Sequence, residues 1–163
     1  ELQKIRKRIG GIYQDYKLLP NKTVYENVAY IMQVEEKDNE EIEIEVPKVL
    51  EIIGLSDKLN NFPRELSGGE QQRLAVARAL VNHPDVILAD EPTGNLDPYN
   101  TYEVISLLEK FNKNGRTVIL LTHNREIVNK LGKRVITMEG GRIIRDEVKG
   151  RFIIWAIFNE RWL

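Results

Sequence analysis

The 163-residue chain contains no cysteine. That excludes a disulfide framework, a thiol nucleophile and any Cys-ligated metal. It also lacks a charge of either sign to spare: 24 Lys and Arg face 25 Asp and Glu, for a net charge of −1. A chain so balanced, with a pI near 6.2, carries no global basic footprint for nucleic acid. Long apolar runs are missing too. The longest, Phe152 to Phe158, is too short to span a bilayer. What remains is 42% hydrophobic and 30% charged, the balance of one globular domain with a real core.

Against that background one stretch stands out, Leu66-Ser67-Gly68-Gly69-Glu70-Gln71-Gln72-Arg73, running into Leu74-Ala75-Val76-Ala77-Arg78-Ala79-Leu80. Ser67 stands where an N-cap belongs. Leu74, Ala77 and Val81 fall on one helical face that can pack inward, while Glu70, Gln71 and Arg73 are expected to stay accessible. Gly68 and Gly69 remove side chains, so another molecule can approach the backbone. A helix start presents unsatisfied N–H groups and the positive end of a dipole, which suits a phosphate. Taken alone, the serine and glycines favour the plainer reading, a capped helix with glycines in its first turn.

After the break at Asn82-His83-Pro84 comes Val86-Ile87-Leu88-Ala89, four apolar residues that predict a strand covered on both faces. Asp90 and Glu91 follow at its C-terminal end, where open α/β sheets bind ligands. Thr117 to Thr122 predicts a second strand of the same kind, with His123 at its end. Upstream, Ile9 to Gln14 reads as a short strand ending on a polar residue. Thr23-Val24-Tyr25-Glu26 has the spacing of a capping box and opens a helix to about Gln33. The acidic run from Glu35 to Glu45 reads as a solvated helix or loop. Helical spacing resumes from Val46 to Ile53 and stops at Gly54. Asp97-Pro98 caps and starts a helix to about Asn112, with Val104, Leu107, Leu108 and Phe111 at core spacing. Asn124 to Leu131 reads as a short helix, and the segments flanking Glu139-Gly140-Gly141 as a hairpin.

The pair of motifs, LSGGEQQR followed by VILADEP, resembles the ATP-binding cassette (ABC) ATPase family, the first as its signature and the second as its Walker B strand. The resemblance covers roughly residues 4 to 149. It implies an α/β fold: a P-loop NTPase-like parallel sheet with a helical subdomain, incomplete at the N-terminus. Residues 1–150 would be a partial ABC ATPase domain, with a helical subdomain at about 20–82 and the C-terminal part of the catalytic core at 83–150. Residues 151–163 stay unassigned: they resemble nothing in the family, and either pack on the domain or are an artefact of sequencing or reading frame.

The same resemblance implies ATP and Mg²⁺ as ligands. Ser67, Gly68, Gly69, Gln71 and Asp97 would serve nucleotide binding, Asp90 and Gln14 the metal, and Glu91, His123 and Gln14 catalysis. Two subunits would form a homodimer around ATP, with Asp97 in the loop that runs along the partner subunit. An integral membrane partner would dock at the loop following Gln14, which places the protein peripherally on the cytoplasmic face of a bacterial plasma membrane, with no role for nucleic acid. Tyr16-Lys17-Leu18-Leu19-Pro20-Asn21-Lys22-Thr23-Val24-Tyr25-Glu26-Asn27-Val28 is similar to the run typical of the family's cell-division branch, with Tyr16 in place of phenylalanine. Glu91 to Pro98, EPTGNLDP, is shared with lipoprotein-release and macrolide-export ATPases, which remain the alternative. A non-transport relative and a truncated, non-catalytic binding module are alternatives of another class. The departure is an absence: no Gly-x-x-x-x-Gly-Lys-Ser/Thr occurs. With Glu1 in first position, the chain is expected to begin inside a longer protein and, by itself, not to hydrolyse ATP.

Overall fold

A computed structural model describes residues 1–152, which divide into two compact units: Glu1–Leu121, and a second from Thr122 onward. The apolar tail singled out in the sequence therefore lies, beyond Phe152, outside the described residues.

In the first unit, β1 (Ile9–Tyr13), β2 (Val86–Asp90) and β3 (Thr117–Leu121) form a parallel sheet in the order β1-β2-β3. The register aligns Gly11, Leu88 and Ile119 in one row and Tyr13, Asp90 and Leu121 in another. Parallel neighbours require crossover connections, and helices supply them. After a short α1 (Leu2–Arg6), the β1–β2 connection carries α2 (Val24–Val34), α3 (Asn39–Ile52) and α4 (Gly68–Leu80), and the β2–β3 connection carries α5 (Pro98–Lys113). Helices α2, α3 and α4 pack on one another, α4 packs on β1, and α5 packs on β3.

Each helix begins for a local reason. Thr23 caps α2 in a full capping box with Glu26, as its spacing predicts. Asp38 caps α3 through the Glu41 N–H. This helix absorbs the acidic run as well as the later apolar segment, and it passes through Pro47 without stopping. The sequence reading leaves the acidic run as a helix or a loop and resumes helical spacing at Val46; the structure makes residues 39–52 one helix. The N-cap and the stripe of Ile42, Val46, Val49 and Leu50, all buried, outweigh the lost hydrogen bond at proline. At the α4–β1 contact Gly10 is a spatial requirement: a Cβ there would lie 2.3 Å from the Ala79 carbonyl oxygen.

Within residues 1–121 the strands are covered on one face, where the sequence reading expects cover on both. Ile12, Ile87 and Ala89 are buried on the helix side of the sheet. On the other side Leu88 is 38% exposed, Ile119 47% and Leu121 50%. The run of apolar residues is real, but α4 and α5 cover one face only, and no other element of this unit packs on the second. On α5, Val104 and Leu108 are buried as expected, together with Ile105; Leu107 and Phe111 are half-buried.

The second unit consists of α6 (Arg125–Leu131) and an antiparallel hairpin, β4 (Val135–Glu139) with β5 (Arg142–Glu147). Asn124 caps α6, and Gly132 closes it at φ 56°. Gly140 and Gly141, both at positive φ, make the two-residue turn of the hairpin. Among the described residues no helix is long and apolar enough to cross a membrane.

Candidate functional site

The candidate residues form two groups, one at the C-terminal ends of β1 and β2 and one at the start of α4. Asp90 is the last residue of β2, in register with Tyr13, and it is exposed. Glu91 follows in a left-handed conformation, φ 43°, uncommon for a residue with a side chain. Its N–H donates to the Leu121 carbonyl at 2.9 Å, and its own carbonyl accepts from the Gly94 N–H at 3.1 Å. The chain is thus turned sharply just past the strand. Such strain, held by surrounding hydrogen bonds, concentrates at functional positions.

Gln14, the residue after β1, meets that turn. A Cβ at Gly94 would lie 2.9 Å from Gln14 Nε2, and Asn95 Nδ2 donates to the Gln14 carbonyl at 3.5 Å. The bare backbone at Gly94 is what lets the two loops touch. The structure therefore brings Gln14, Asp90 and Glu91 to neighbouring strand ends.

Ser67 is the N-cap of α4: its Oγ accepts from the Glu70 N–H at 3.3 Å, and the Glu70 carboxylate accepts from the Ser67 N–H at 2.7 Å. Gly68 and Gly69 occupy the first two helical positions, whose N–H groups have no partner within a helix. Glu70 is also bonded by Lys58 at 2.8 Å. The Lys58 ammonium foremost, with the Ser67 backbone, holds the Glu70 carboxyl down to about 2.

Two expectations about this helix are corrected. Gln71 and Arg73 are not free on the surface. Gln71 Nε2 donates to the carbonyls of Pro63 and Leu66, at 3.0 and 3.1 Å, tying the helix to the turn before it. Arg73, 15% exposed, pairs with Glu103 at 3.2 Å and reaches Asn100 Oδ1. Neighbouring elements close over the helix sides, which helical periodicity alone does not register.

Asp97 caps α5, its Oδ1 accepting from the N–H groups of Tyr99 and Asn100 at 2.9 and 3.0 Å. Those bonds, first from the Asn100 backbone and then from its side-chain amide, hold the Asp97 carboxyl below its usual range. Asn100 was not legible as a site residue. A Cβ at Gly69 would fall 1.9 Å from its Oδ1, so Asn100 fills the space the missing side chain leaves. Through it the start of α4 and the turn at Asp97 form one contact. No spacing rule in the sequence signals this contact, which joins residues 69 and 100. His123 lies in the second unit, exposed, two residues beyond the end of β3.

Loop 15–22 is organised by a residue the sequence reading overlooked, Asn27. Wholly buried, its side chain accepts from the Leu19 N–H at 2.8 Å and donates to the carbonyls of Leu19, Lys22 and Thr23. Leu18 and Leu19 are half-buried, as Asn27 draws the loop onto α2. Tyr16 packs near the start of α4; its hydroxyl would lie 3.6 Å from a Cβ at Gly68.

Chemically, the arrangement pairs a glycine-led helix N-terminus with strand-end carboxylates and an amide. Among the described residues no group of three or more His, Asp or Glu is placed to hold a metal ion by itself. A magnesium ion carried by phosphates needs only one or two protein ligands and retains waters, and Asp90 with Gln14 fits that habit.

The chain has relatives among known proteins. The sequence profile of the ABC transporter family matches residues 1–94. The chain is 55% identical over 148 residues to the cell division ATP-binding protein FtsE of Streptococcus pneumoniae serotype 2, covering 91% of the chain and 64% of that relative. It is 52% identical over 147 residues to FtsE of Mycobacterium tuberculosis, with 90% and 64% covered. With the methionine import ATP-binding protein MetN 1 of Listeria innocua it shares 45% over 145 residues, 88% of the chain and 43% of the relative. The chain thus spans about 64% of the length of these two FtsE relatives. A glycine-led capped helix, a strand ending in adjacent carboxylates and a match this long agree on one conclusion: the chain belongs to the ABC transporter family and carries its α/β ATP-binding fold.

Proposed function

We propose that the complete protein is the ATP-binding and hydrolysing subunit of an FtsE-like complex, which couples ATP hydrolysis to an integral membrane partner of the FtsX kind in bacterial cell division. The observation that carries this reading is the 50–55% identity to FtsE proteins of several bacteria, against 45% to a methionine importer. The importer relatives keep a transport ATPase as the second reading.

In this reading Mg²⁺-bound ATP supplies a γ-phosphate whose charge is partly neutralised and which is open to attack by water. Ser67 donates its hydroxyl, and Gly68 and Gly69 their N–H groups, to the phosphate oxygens. Asp90 and Gln14 hold the cation. Glu91, kept at the strand end by its turn, orients the attacking water or accepts its proton. His123 completes the γ-phosphate surroundings, and Gln71 and Asp97 shape the nucleotide side of α4 and α5. Membership of the family implies a head-to-tail homodimer, each subunit presenting Ser67-Gly68-Gly69 to the other's nucleotide. Residues 20–82 act as the helical subdomain that transmits closure to the partner, through the loop after Gln14, at the cytoplasmic face of the membrane. Residues 83–150 belong to the catalytic core.

The test is Glu91→Gln in the complete protein. The amide keeps the shape and loses the basicity. Turnover is expected to fall at least 100-fold, an oxyanion- or base-sized effect, while ATP binding by equilibrium titration stays within threefold. Steady-state hydrolysis near the wild-type rate would overturn the role of Glu91.

A further inference from the structure

The first turn of α4 meets solvent through Ser67 and Gly68, both exposed, and Ser67 Oγ accepts from the Glu70 N–H. The hydroxyl hydrogen is thereby left to donate to a ligand oxygen. The residue that sets this arrangement carries a carboxylate. Glu70 stands in the same helical turn as Ser67, and an anion there opposes the arrival of a phosphate. Its side chain is 17% exposed, so water and salt screen it incompletely. A phosphate-binding turn built on glutamate therefore needs a cation set against that glutamate.

Lys58 supplies it. Its Nζ lies 2.8 Å from Glu70 Oε1, while Glu70 Oε2 accepts from the Ser67 N–H at 2.7 Å. Each carboxylate oxygen has its own partner, which fixes the plane of the group. Asp57 and Arg73 also act on Lys58, but Arg73 is engaged by Glu103 at 3.2 Å and by Asn100. The backbone holds Lys58 from the other side. It ends a short 3-10 turn, Ser56–Lys58, that starts from the buried Leu55. Its N–H donates to the Leu55 carbonyl at 3.1 Å, and its carbonyl accepts from the Asn61 N–H at 3.0 Å. The carbonyls of Leu59 and Asn61 in turn accept from the N–H groups of Tyr25 and Val24, at 3.0 and 2.8 Å. Those are N–H groups that the start of α2 leaves without a partner inside the helix. The ammonium thus projects from a segment tied to α2 and reaches the first turn of α4.

We propose that Lys58 is a positioning residue of the nucleotide site: through Glu70 it holds Ser67 in its phosphate-binding geometry, and it cancels the charge that Glu70 sets against the nucleotide. This rests on reading the first turn of α4 as a phosphate-binding element. With the lysine in place the pair is neutral, and the helix start keeps the positive end of its dipole for the ligand. The Glu70 carboxyl, held down to about 2, keeps the pair ionised at neutral pH. Without the lysine, a half-buried carboxylate stands uncompensated beside the groups that meet phosphate. The role belongs to binding more than to the chemical step, because Lys58 acts on the turn that receives the nucleotide and lies outside the group formed by Gln14, Asp90 and Glu91.

The experiment measures steady-state ATP hydrolysis by the complete protein carrying Lys58→Met, Lys58→Arg or the pair Lys58→Met with Glu70→Gln. Methionine keeps most of the apolar stem and removes the charge. Lys58→Met is expected to raise KM for Mg-ATP about tenfold and to change kcat by less than about threefold, the pattern of lost binding by one unit charge near the site. Lys58→Arg, which keeps the charge, is expected to hold KM within about threefold of wild type. Adding Glu70→Gln to Lys58→Met is expected to return KM to within about threefold of wild type, because no acid is left to balance. A pair that only stabilised the fold would lower kcat and the melting temperature instead, and removing its second member would restore neither. An unchanged KM in Lys58→Met, or a raised KM that Glu70→Gln leaves in place, overturns the role of Lys58 and leaves the ATP site standing. Turnover that survives Glu91→Gln overturns the ATP-site reading and this role with it.

Discussion

The two faces of the three-stranded sheet are built from the same kinds of residue and have opposite fates. Toward α4 and α5, Ile12, Ile87 and Ala89 are at most 1% exposed. On the reverse, Leu88, Ile119 and Leu121 are a third to a half open, in rows fixed by the parallel register. Ile87 and Leu88 are adjacent in sequence and alike in size and apolarity. Alternation along a strand assigns them to different faces, and what packs on each face decides their burial. An apolar run therefore reports a strand's company only after its neighbours are known. Asp90 lies in the same alternation as Leu88, so the candidate metal-holding carboxylate emerges at the end of the open rows.

Beyond the turnover loss expected of Glu91→Gln, three substitutions probe this contrast, in falling order of effect. Ile87→Ala removes a fully buried side chain from the covered face. It is expected to cost about 2–5 kcal/mol, read as a lower denaturation midpoint at constant slope; a loss under about 1 kcal/mol would mean the covered face is loosely packed. Glu70→Gln tests the capping box at the edge of that packing. The Glu70 carboxyl, normally near 4.5, is held at about 2 by Lys58 and the Ser67 backbone. A depressed carboxyl contributes stability above its unfolded value and loses it as pH falls toward its folded one. The gap between wild type and variant, about 1 kcal/mol at neutral pH, should therefore shrink between about pH 4.5 and pH 2 in acid-denaturation curves. A gap constant across that window would assign the effect to packing. Leu88→Thr, on the open face, is expected to change stability by about 0.5 kcal/mol at most, as a surface substitution does. A cost matching that of Ile87→Ala would show the open face to be covered in solution.

Much of the candidate site could be read from the sequence because it is local. Ser67, Thr23 and Asp97 each cap a helix within three residues, and short-range spacing carries that information. The strand ending in Asp90-Glu91 was likewise legible, since composition and the change to polar residues mark both the strand and its end. Contacts across long sequence distances were not legible. Nothing near Gly69 announces that Asn100 fills its side-chain space. Nothing near Arg78 announces that its guanidinium donates to the Lys17 carbonyl, and nothing near Leu19 announces that a buried Asn27 holds its loop. The acidic residues of α3 stayed undecided between helix and loop because a charged stretch fits either; Asp38 capping and buried Ile42 make it helix.

By itself the sequence determined the caps at Thr23, Ser67 and Asp97, the parallel character of the sheet and the family, because these are written in short-range patterns and motif pairs. Only the tertiary structure decided which sheet face is covered, which polar side chains of α4 are tied down, and that Gln14, Asp90 and Glu91 share a corner. Those facts depend on which segments, far apart in the chain, come within van der Waals or hydrogen-bond range, and periodicity along a single element does not encode that.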